Sequence, residues 1–255
     1  MENESKTFKI LVIGELCTDH FIYGQVKRMC PEAPVPVFNP IRTVKNPGMA
    51  GNVVENIKAM QKDSEVVFWH QSEEITKKRI VDEKSNQMIV RIDDGEEKPV
   101  QEFGFLSPER RGVIQESDIV IVSDYQKGYL SDSTLVQIGQ NAKFSVLDTK
   151  RKLTKEIVDV FSFIKLNEHE AEQNKEFRNC DNVIVTVGAR GAITFGELLH
   201  IQQWPVETID VSGAGDTFTA AFAIKYAETK NLSTAIWYAN AMSAKVVSKR
   251  GVATP

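Results

Sequence analysis

The sequence feature that most constrains the fold of this chain is a series of short apolar runs, rich in Val and Ile, that alternate with longer amphipathic stretches. The apolarity within each run is continuous, which is typical of parallel strands covered by helices on both faces. The sequence therefore predicts an α/β fold with a doubly wound, mostly parallel sheet. We expect strands at 9–14, 65–70, 118–124, 144–148, 161–166 and 182–188, and helices at 50–61, 131–142, 150–160, 168–178, 214–229 and 232–249.

Two segments depart from this alternation. Residues 20–46 contain four prolines and alternating apolar positions, and residues 78–93 have the pattern of a hairpin that turns at 84–86. Because these strands are not interleaved with helices, we expect them to form a separate small β-sheet. We interpret this sheet as a lid, formed by residues of about 20–46 and 76–95 and inserted in a single domain that spans 1–255.

Composition and spacing exclude several classes of protein. The net charge of −4 provides no basic surface for nucleic acid, and no apolar run approaches the ~20 residues of a membrane span. The first residues are polar, so no secretory signal is expected. Cys17, Cys30 and Cys180 lack the spacing of a zinc site or a disulfide framework. We therefore expect a cytoplasmic protein that acts on a small molecule, with no nucleic acid or membrane as partner.

The string DVSGAGDTFTAAF at 210–222 is the most informative for chemistry. Gly213, Ala214 and Gly215 would let an anion approach the first backbone N–H groups of a helix, which have no partners within that helix. Asp216 follows in the first turn. Its carboxylate would repel an anion that is merely bound, but it can deprotonate a hydroxyl that attacks a phosphate. The pattern therefore predicts phosphoryl transfer with Asp216 as the general base.

The same string also fits an ordinary helix start with no catalytic role. Ser212 would then cap the helix, and the charge of Asp216 would interact favourably with the helix dipole. Two glycines weaken a helix start that needs only a cap, which favours the catalytic interpretation. Neither a GxxxxGK[ST] loop nor a GxGxxG after the first strand occurs, which argues against P-loop and dinucleotide-binding proteins.

The string DVSGAGDTF at 210–218 resembles the C-terminal signature of the ribokinase/PfkB family of carbohydrate kinases. The resemblance implies a ribokinase-like fold and ATP-dependent phosphorylation of a sugar hydroxyl, with Mg²⁺ accompanying the ATP. It also implies that Asp216 is the catalytic base. The backbone of Gly213, Ala214 and Gly215 would form the anion hole for the transferred phosphoryl group.

Other segments resemble further motifs of this family. The string NPGMAGNVVENI at 46–57 is similar to the sugar-binding signature, with Gly48 and Asn52 at its Gly and Asn positions and Met49 in place of its second Gly. The string LNEHE at 166–170 resembles the NxxE motif, which implies Asn167 near the phosphates and Glu170 near Mg²⁺. A helix N-terminus alone also explains that pattern. The resemblance assigns the nucleotide to Thr186, Gly188, Arg190, Gly191 and Asn240, although a plain strand–turn–strand also fits 185–191.

The N-terminal half resembles one subgroup of the family, the heptose-7-phosphate kinases of lipopolysaccharide precursor synthesis. The string Pro-Glu-Ala-Pro-Val-Pro-Val at 31–37 carries this resemblance, together with ITKKRIV, QMIVRID, SDYQKGYL and LDTK further along the chain. It implies that Asp19 binds sugar hydroxyls and that several cations meet a phosphate on the substrate. These candidate cations are Lys77, Arg79, Lys127 and Lys150, each of which could instead be an ordinary surface residue.

The chain also departs from the subgroup, because only four residues, 71–74, lie between the runs at 65–70 and 75–81. Two alternatives therefore stay open. The first is a kinase for another acceptor, such as a ketohexose phosphate, a pentose or a nucleoside. The second is a non-catalytic descendant that still binds sugar or nucleotide. The family resemblance also implies a homodimer that forms through the lid.

Overall fold

The computed structural model of the protein describes residues 6–194, 199–201, 211–249 and 253–255. Within these residues the strands are β1 (Lys9–Gly14), β2 (Leu16–Met29), β3 (Pro36–Met49), β4 (Glu65–Trp69), β5 (Thr76–Asp82), β6 (Met88–Asp94), β7 (Ile119–Asp124), β8 (Ser145–Thr149), β9 (Phe163–Asn167), β10 (Val183–Thr186), β11 (Ala192–Thr194) and β12 (Leu199–Ile201). The helices are α1 (Ala50–Met60), α2 (Pro108–Glu116), α3 (Asp132–Asn141), α4 (Lys155–Val160), α5 (Glu168–Gln173), α6 (Ala214–Thr229) and α7 (Leu232–Val247).

The main sheet has the strand order β12-β11-β10-β9-β8-β7-β1-β4 among the described residues. The six strands from β10 to β4 are parallel, and β11 and β12 are added antiparallel at one edge. Alternate residues of β1 point to opposite faces: Ile10 and Val12 pack beneath α1, α6 and α7, while Leu11 and Ile13 pack against α2, α3 and α4. This burial of both faces explains the continuous apolar runs, and the predicted doubly wound α/β fold is confirmed.

A second, four-stranded sheet has the order β3-β2-β5-β6. β2 pairs antiparallel with β3 and parallel with β5, and β5 pairs antiparallel with β6. β3 is an edge strand in the described part of the chain, and such a strand tolerates the prolines that the sequence places there. We call this sheet the lid. Its first strand begins at Leu16 rather than near residue 20, because only Glu15 separates it from β1.

Several predicted boundaries were wrong. α4 begins at Lys155 rather than at 150, because the Thr154 side chain accepts a hydrogen bond from the Ile157 N–H and caps the helix there. α5 ends at Gln173, five residues earlier than expected. α2, β11 and β12 were not predicted, and α2 is too rich in charge to show a clear apolar face. No helix in the described ranges is long and apolar enough to cross a bilayer.

Candidate active site

Asp216 lies in the first turn of α6, as the sequence predicted. The helix begins after Gly213, whose φ of 80° lies in the left-handed region that favours glycine. The Asp216 carboxylate is buried and held at both oxygens: the Asn52 side-chain amide donates to Oδ2 at 2.9 Å, and the Tyr125 hydroxyl donates to Oδ1 at 2.8 Å. Its position is therefore fixed jointly by α1, α6 and the loop after β7.

Burial raises the pKa of Asp216 to about 6, although the hydrogen bonds from Asn52 and Tyr125 oppose the rise. A carboxylate with a pKa near 6 is a stronger base than an ordinary aspartate and is still mostly ionised at neutral pH. General bases work best when their pKa lies near the operating pH. The environment of Asp216 therefore suits proton abstraction from a hydroxyl.

Asp216, Tyr125 and Gly213 form the shared wall of two cavities. We call the cavity toward the lid the acceptor side and the cavity toward the main sheet the donor side. The acceptor side is also lined by Cys17, Asp19, Gly48, Met49, Asn52, Lys77, Arg79 and Ser212. The donor side is also lined by Asp124, Asp148, Lys150, Lys165, Asn167, Glu170 and Gly215.

On the acceptor side, Asp19 of β2 forms an ion pair with Arg79 of β5, and both side chains are largely buried. Gly48 lies opposite Cys17 near the end of β3, two residues along from the position that pairs with Asp19. A Cβ atom at Gly48 would lie 2.6 Å from the Cys17 Sγ and even closer to the Asp19 carboxylate. Gly48 is therefore required for close packing around Asp19, which is a structural reason for the glycine that the sequence singled out.

Met49 shows how the position of the second signature glycine is filled in this chain. Its φ of 55° lies in the left-handed region, although its residue type disfavours that conformation. The Met49 side chain is buried with Cys17 and Ile75, and Tyr125 packs against this group. The backbone thus keeps a glycine-like conformation at the N-terminus of α1, and the side chain fills space beneath the acceptor side.

Lys77 and Lys127, two of the cations predicted to meet a substrate phosphate, bind one carboxylate. The Glu96 side chain lies 2.5 Å from the Lys77 Nζ through Oε1 and 2.5 Å from the Lys127 Nζ through Oε2. Lys77 lines the acceptor side, whereas Lys127 and Glu96 are not among the residues that line it. The buried Glu15 carboxylate accepts the backbone N–H groups of Tyr125 and Lys127, and so fixes the loop after β7.

On the donor side, Lys165 of β9 is buried and bonded to both carboxylate oxygens of Asp148, at 3.0 and 3.1 Å. Its ammonium group lies directly below the start of α6, because a Cβ atom built on Gly215 would be only 3.1 Å from the Lys165 Nζ. Lys150 extends over the Tyr125 ring, with its Nζ 4.1 Å from the ring centroid. Two cations therefore face the donor side.

Of the three residues predicted to form an anion hole, Gly213 and Gly215 line the donor side. The Ala214 N–H makes a long bond of 3.3 Å to the Val211 carbonyl, and the Ala214 carbonyl accepts a bond from the Ser243 hydroxyl. The small residues leave the helix start open, and the Lys165 charge lies beneath it. An anion is thus favoured there by N–H groups, dipole and cation together.

Asn167 and Glu170 form a capping box at the start of α5. The Asn167 side chain accepts from the Glu170 N–H at 2.9 Å, and the Glu170 carboxylate accepts from the Asn167 N–H at 2.7 Å. Both residues still line the donor side. Burial raises the pKa of Glu170, partly offset by the Lys165 charge. The described residues contain no group of three or more acidic, His or Cys side chains that could hold a metal ion.

The remaining residues predicted to bind the nucleotide do not line either cavity. Thr186 ends β10, and its hydroxyl donates to the Leu166 carbonyl. The next segment, Gly188–Arg190, is a 3-10 turn in which Arg190 forms an exposed ion pair with Glu168, and Gly191 follows with a φ of 92°. The Asn240 amide is buried and donates to the Ile201 carbonyl at 2.8 Å, which ties α7 to β12.

Sequence reasoning missed three side chains at the centre of the site: Tyr125, Asp148 and Lys165. All three lie at or just after the carboxyl ends of neighbouring parallel strands, β7, β8 and β9. Ligands of open α/β sheets bind outside those strand ends. Polar residues at or just after the carboxyl ends of the predicted strands were therefore the signal that could have identified them.

Comparison with solved structures supports the fold. The ribokinase of Thermotoga maritima superposes with a TM-score of 0.72 at 19% identity, covering 96% of this chain and 94% of that one. The ribokinase of Arabidopsis thaliana, solved with ribose and ATP, superposes with a TM-score of 0.70 at 16% identity over the same shares. At these identities the likeness establishes the ribokinase-like fold.

Comparison of sequences identifies the family. The bifunctional protein HldE of a Nitratiruptor species is 31% identical over 96% of this chain, which spans only 63% of the length of that protein. The model of the pfkB family carbohydrate kinases matches residues 52–255. This match covers most of the chain, including α1 with Asn52 and α6 with Asp216. The chain therefore belongs to the pfkB family of carbohydrate kinases.

Proposed function

We propose that this sugar kinase transfers the γ-phosphate of ATP to the anomeric hydroxyl of D-glycero-β-D-manno-heptose 7-phosphate. The observation that carries the proposal is the buried Asp216 carboxylate, held by Asn52 and Tyr125 in the wall between two cavities. A base in that position reaches a hydroxyl on the lid side while the phosphate to be transferred lies on the other side.

The chemistry of the transfer follows from these positions. The acceptor hydroxyl binds beside Asp216, with Asp19 and Asn52 as the nearest polar groups that bind its sugar. Asp216 takes the proton of the hydroxyl as the oxygen attacks phosphorus. The backbone N–H groups at the start of α6 and the Lys165 ammonium stabilise the negative charge of the phosphoryl group in transfer. Phosphoryl transfer of this kind relies on positioning and electrostatics.

Mg²⁺ fits the donor side if it is held mainly through water and the phosphates of ATP. The donor side offers the carboxylates of Asp148 and Glu170, but each already has hydrogen-bonding partners. Mg²⁺ commonly keeps several waters and uses only one or two carboxylates together with substrate phosphates. When bound, the ion would neutralise charge on the ATP phosphates, and Glu170 is the residue that we assign to it.

The heptose assignment rests on the resemblance of residues 19–38 to the heptose-7-phosphate kinases, and the HldE relatives support it. The charges of the acceptor side are consistent with a phosphorylated acceptor, because Lys77 and Arg79 both line that cavity. An acceptor phosphate carries about two negative charges at neutral pH. We assign Lys77 and Lys127 to this phosphate, and Arg79, through Asp19, to the sugar.

We also propose that the protein is a homodimer that forms through the lid. β6 is an edge of the lid in the described structure, and it exposes Met88, Val90 and Ile92 at alternate positions of the strand. An exposed apolar edge strand favours pairing with another copy. Light scattering of the wild type and of Val90→Lys would test the dimer, because a lysine at the centre of the interface should yield monomers.

The function is tested by ATP-dependent phosphorylation across a panel of heptose 7-phosphate, unphosphorylated heptose, fructose 6-phosphate, ribose and adenosine. Turnover of heptose 7-phosphate well above the others is the expected result. Faster turnover of another acceptor would discard the heptose while keeping the role of Asp216. ATP binding without turnover of any acceptor would contradict the proposal and favour a non-catalytic descendant.

A further inference from the structure

Glu96 follows β6 at a tightly constrained turn. The preceding Gly95 has a φ of 87°, and a Cβ atom at this position would collide with the Glu74 carbonyl just before β5. The Lys98 N–H closes the turn by donating to the Gly95 carbonyl at 3.3 Å. Because only glycine satisfies both the conformation and the close approach, the backbone of Glu96 is fixed beside the first residues of β5.

The Glu96 carboxylate joins the lid to the main domain. Its two oxygens lie 2.5 Å from the ammonium groups of Lys77, on lid strand β5, and Lys127, in the loop after β7. The three side chains are only 18%, 12% and 24% exposed, respectively. Burial opposes ionisation of Glu96, but the bonds from Lys127 and Lys77 outweigh it and lower its pKa to about 2. The carboxylate is thus an anion throughout the physiological range.

This arrangement offsets part of the positive charge that a phosphorylated acceptor needs. Lys77 and Lys127 share the charge of Glu96, and Arg79 is paired with Asp19. A carboxylate and a phosphate present similar oxygen acceptors to an ammonium group, and both form short charge-assisted hydrogen bonds with it. The two anions therefore compete for the same two lysines, and they repel each other if both stay.

We propose that Glu96 is an internal substitute for the phosphate of the acceptor. It holds Lys77 and Lys127 in place while the acceptor side is empty, and a phosphorylated acceptor displaces it from them. Glu96 thereby sets how strongly the enzyme distinguishes phosphorylated from unphosphorylated acceptors. This inference rests on the proposed function, since it takes the acceptor to carry a phosphate.

A purely structural role for Glu96 makes the opposite prediction. If Glu96 only latched the lid to the loop after β7, removal of its charge would loosen both lysines and weaken the binding of any acceptor. If Glu96 competes with phosphate, removal of its charge frees Lys77, which lines the acceptor side, and Lys127, which shares the same carboxylate, and so strengthens the binding of phosphate. The sign of the change in affinity therefore separates the two roles.

The test is calorimetric titration of inorganic phosphate into the protein, with a non-hydrolysable ATP analogue occupying the donor side. Glu96→Gln keeps the shape of the side chain and removes its charge, and we expect phosphate to bind about tenfold more tightly than to the wild type. The matched control is Glu97→Gln, which removes the charge of the exposed neighbouring residue and should leave the affinity unchanged. An unchanged or weaker affinity in folded Glu96→Gln would overturn the proposal.

A second variant keeps the test decisive even if Glu96→Gln fails to fold. Lys127→Gln leaves Glu96 fully neutralising the remaining Lys77, so phosphate affinity should fall at least tenfold. Unchanged phosphate binding by Lys127→Gln would equally refute the proposal, because the phosphate would then lie elsewhere.

Kinetics with sugars separates this inference from the proposed function. Glu96→Gln should raise kcat/KM for heptose 7-phosphate about tenfold and leave kcat/KM for unphosphorylated heptose within twofold. If no phosphorylated sugar is turned over but the titration gives the expected affinities, the proposed substrate is wrong and the competition by Glu96 stands. Equal gains for both heptoses would contradict the role of Glu96 whatever the substrate is.

Discussion

The two cavities beside Asp216 are both lined by ion pairs, but they are assembled in different ways. On the donor side, Asp148 and Lys165 lie on adjacent parallel strands, β8 and β9, in the interior of the main sheet. On the acceptor side, Arg79 of the lid pairs with Asp19, and Glu96 joins the lid to the loop after β7. The donor side is thus part of the core, and the acceptor side depends on how the lid is placed.

This difference predicts that the two sides affect different kinetic constants. Ion pairs within a packed sheet lie on strands that many backbone hydrogen bonds hold in place, so the donor side suits the fixed charge stabilisation that phosphoryl transfer would need. Contacts that cross between a lid and a core are fewer, so single residues there have more influence on which acceptor fits. Substitutions on the donor side should lower kcat, and substitutions on the acceptor side should raise the KM of the sugar.

The largest effect is expected from Asp216→Asn, which removes the base shared by the two sides. General-base assistance contributes about 10²–10⁴ in rate, so kcat should fall by about 10³ while the Kd of ATP stays near the wild-type value. Steady-state kinetics and ATP titration check both quantities. Asp159→Asn, on the exposed face of α4, is the matched control. A kcat within tenfold of the wild type would refute the role of Asp216.

On the donor side alone, we expect Lys165→Gln to lower kcat by about 10², because it removes one fixed positive charge beneath the start of α6. The KM of the sugar should change little. Lys155→Gln, at an exposed position, serves as the control. Thermal unfolding must accompany the kinetics, since the variant leaves Asp148 without its cation. A folded variant with normal kcat would show that Lys165 only pairs with Asp148.

On the acceptor side alone, Gly48→Ala should raise the KM of the sugar about tenfold and leave the KM of ATP unchanged. The added methyl group would displace the Asp19 carboxylate from its position beside Cys17. Gly112→Ala in α2 is the control, because a Cβ atom at Gly112 meets no neighbouring atom within 4 Å. An equal rise in both KM values would mean that the two sides are not independent.

The smallest expected effect is a shift in the pH dependence of kcat/KM. Asp216 works as the ionised base, so kcat/KM should fall as the pH drops through about 6, the raised pKa of Asp216. The Tyr125 hydroxyl lowers this pKa, so Tyr125→Phe should move the acid limb of the profile to higher pH. Tyr238→Phe, on α7, should leave the limb in place. A limb that moves to lower pH would contradict the assignment of the base.

Much of the fold was predictable because its main sheet is buried on both faces. Continuous Val and Ile runs fixed the strand positions of β1 and β4 to within one residue, and the start of α6 at Ala214 followed from its glycines. Boundaries decided by side-chain capping were less predictable, as at Thr154 before α4. β11 and β12 are three residues each, too short to carry a pattern.

The candidate site was predictable where one short string carries the function. Gly213, Gly215 and Asp216 lie together in the sequence, and so do Gly48 and Asn52. Tyr125, Asp148 and Lys165 are each isolated in the sequence, and they meet because three parallel strands end at the same edge of the sheet.

Local periodicity and contiguous motifs were enough to predict most of the order of strands and helices, the position of the proposed base and the family. Only the tertiary structure decided that Asp216 is held by Asn52 and Tyr125 with a raised pKa, since burial and partners from distant segments set that value. The fold also brings Glu96 into ion pairs with both Lys77 and Lys127. Charges interact through space, and a sequence records only their order along the chain.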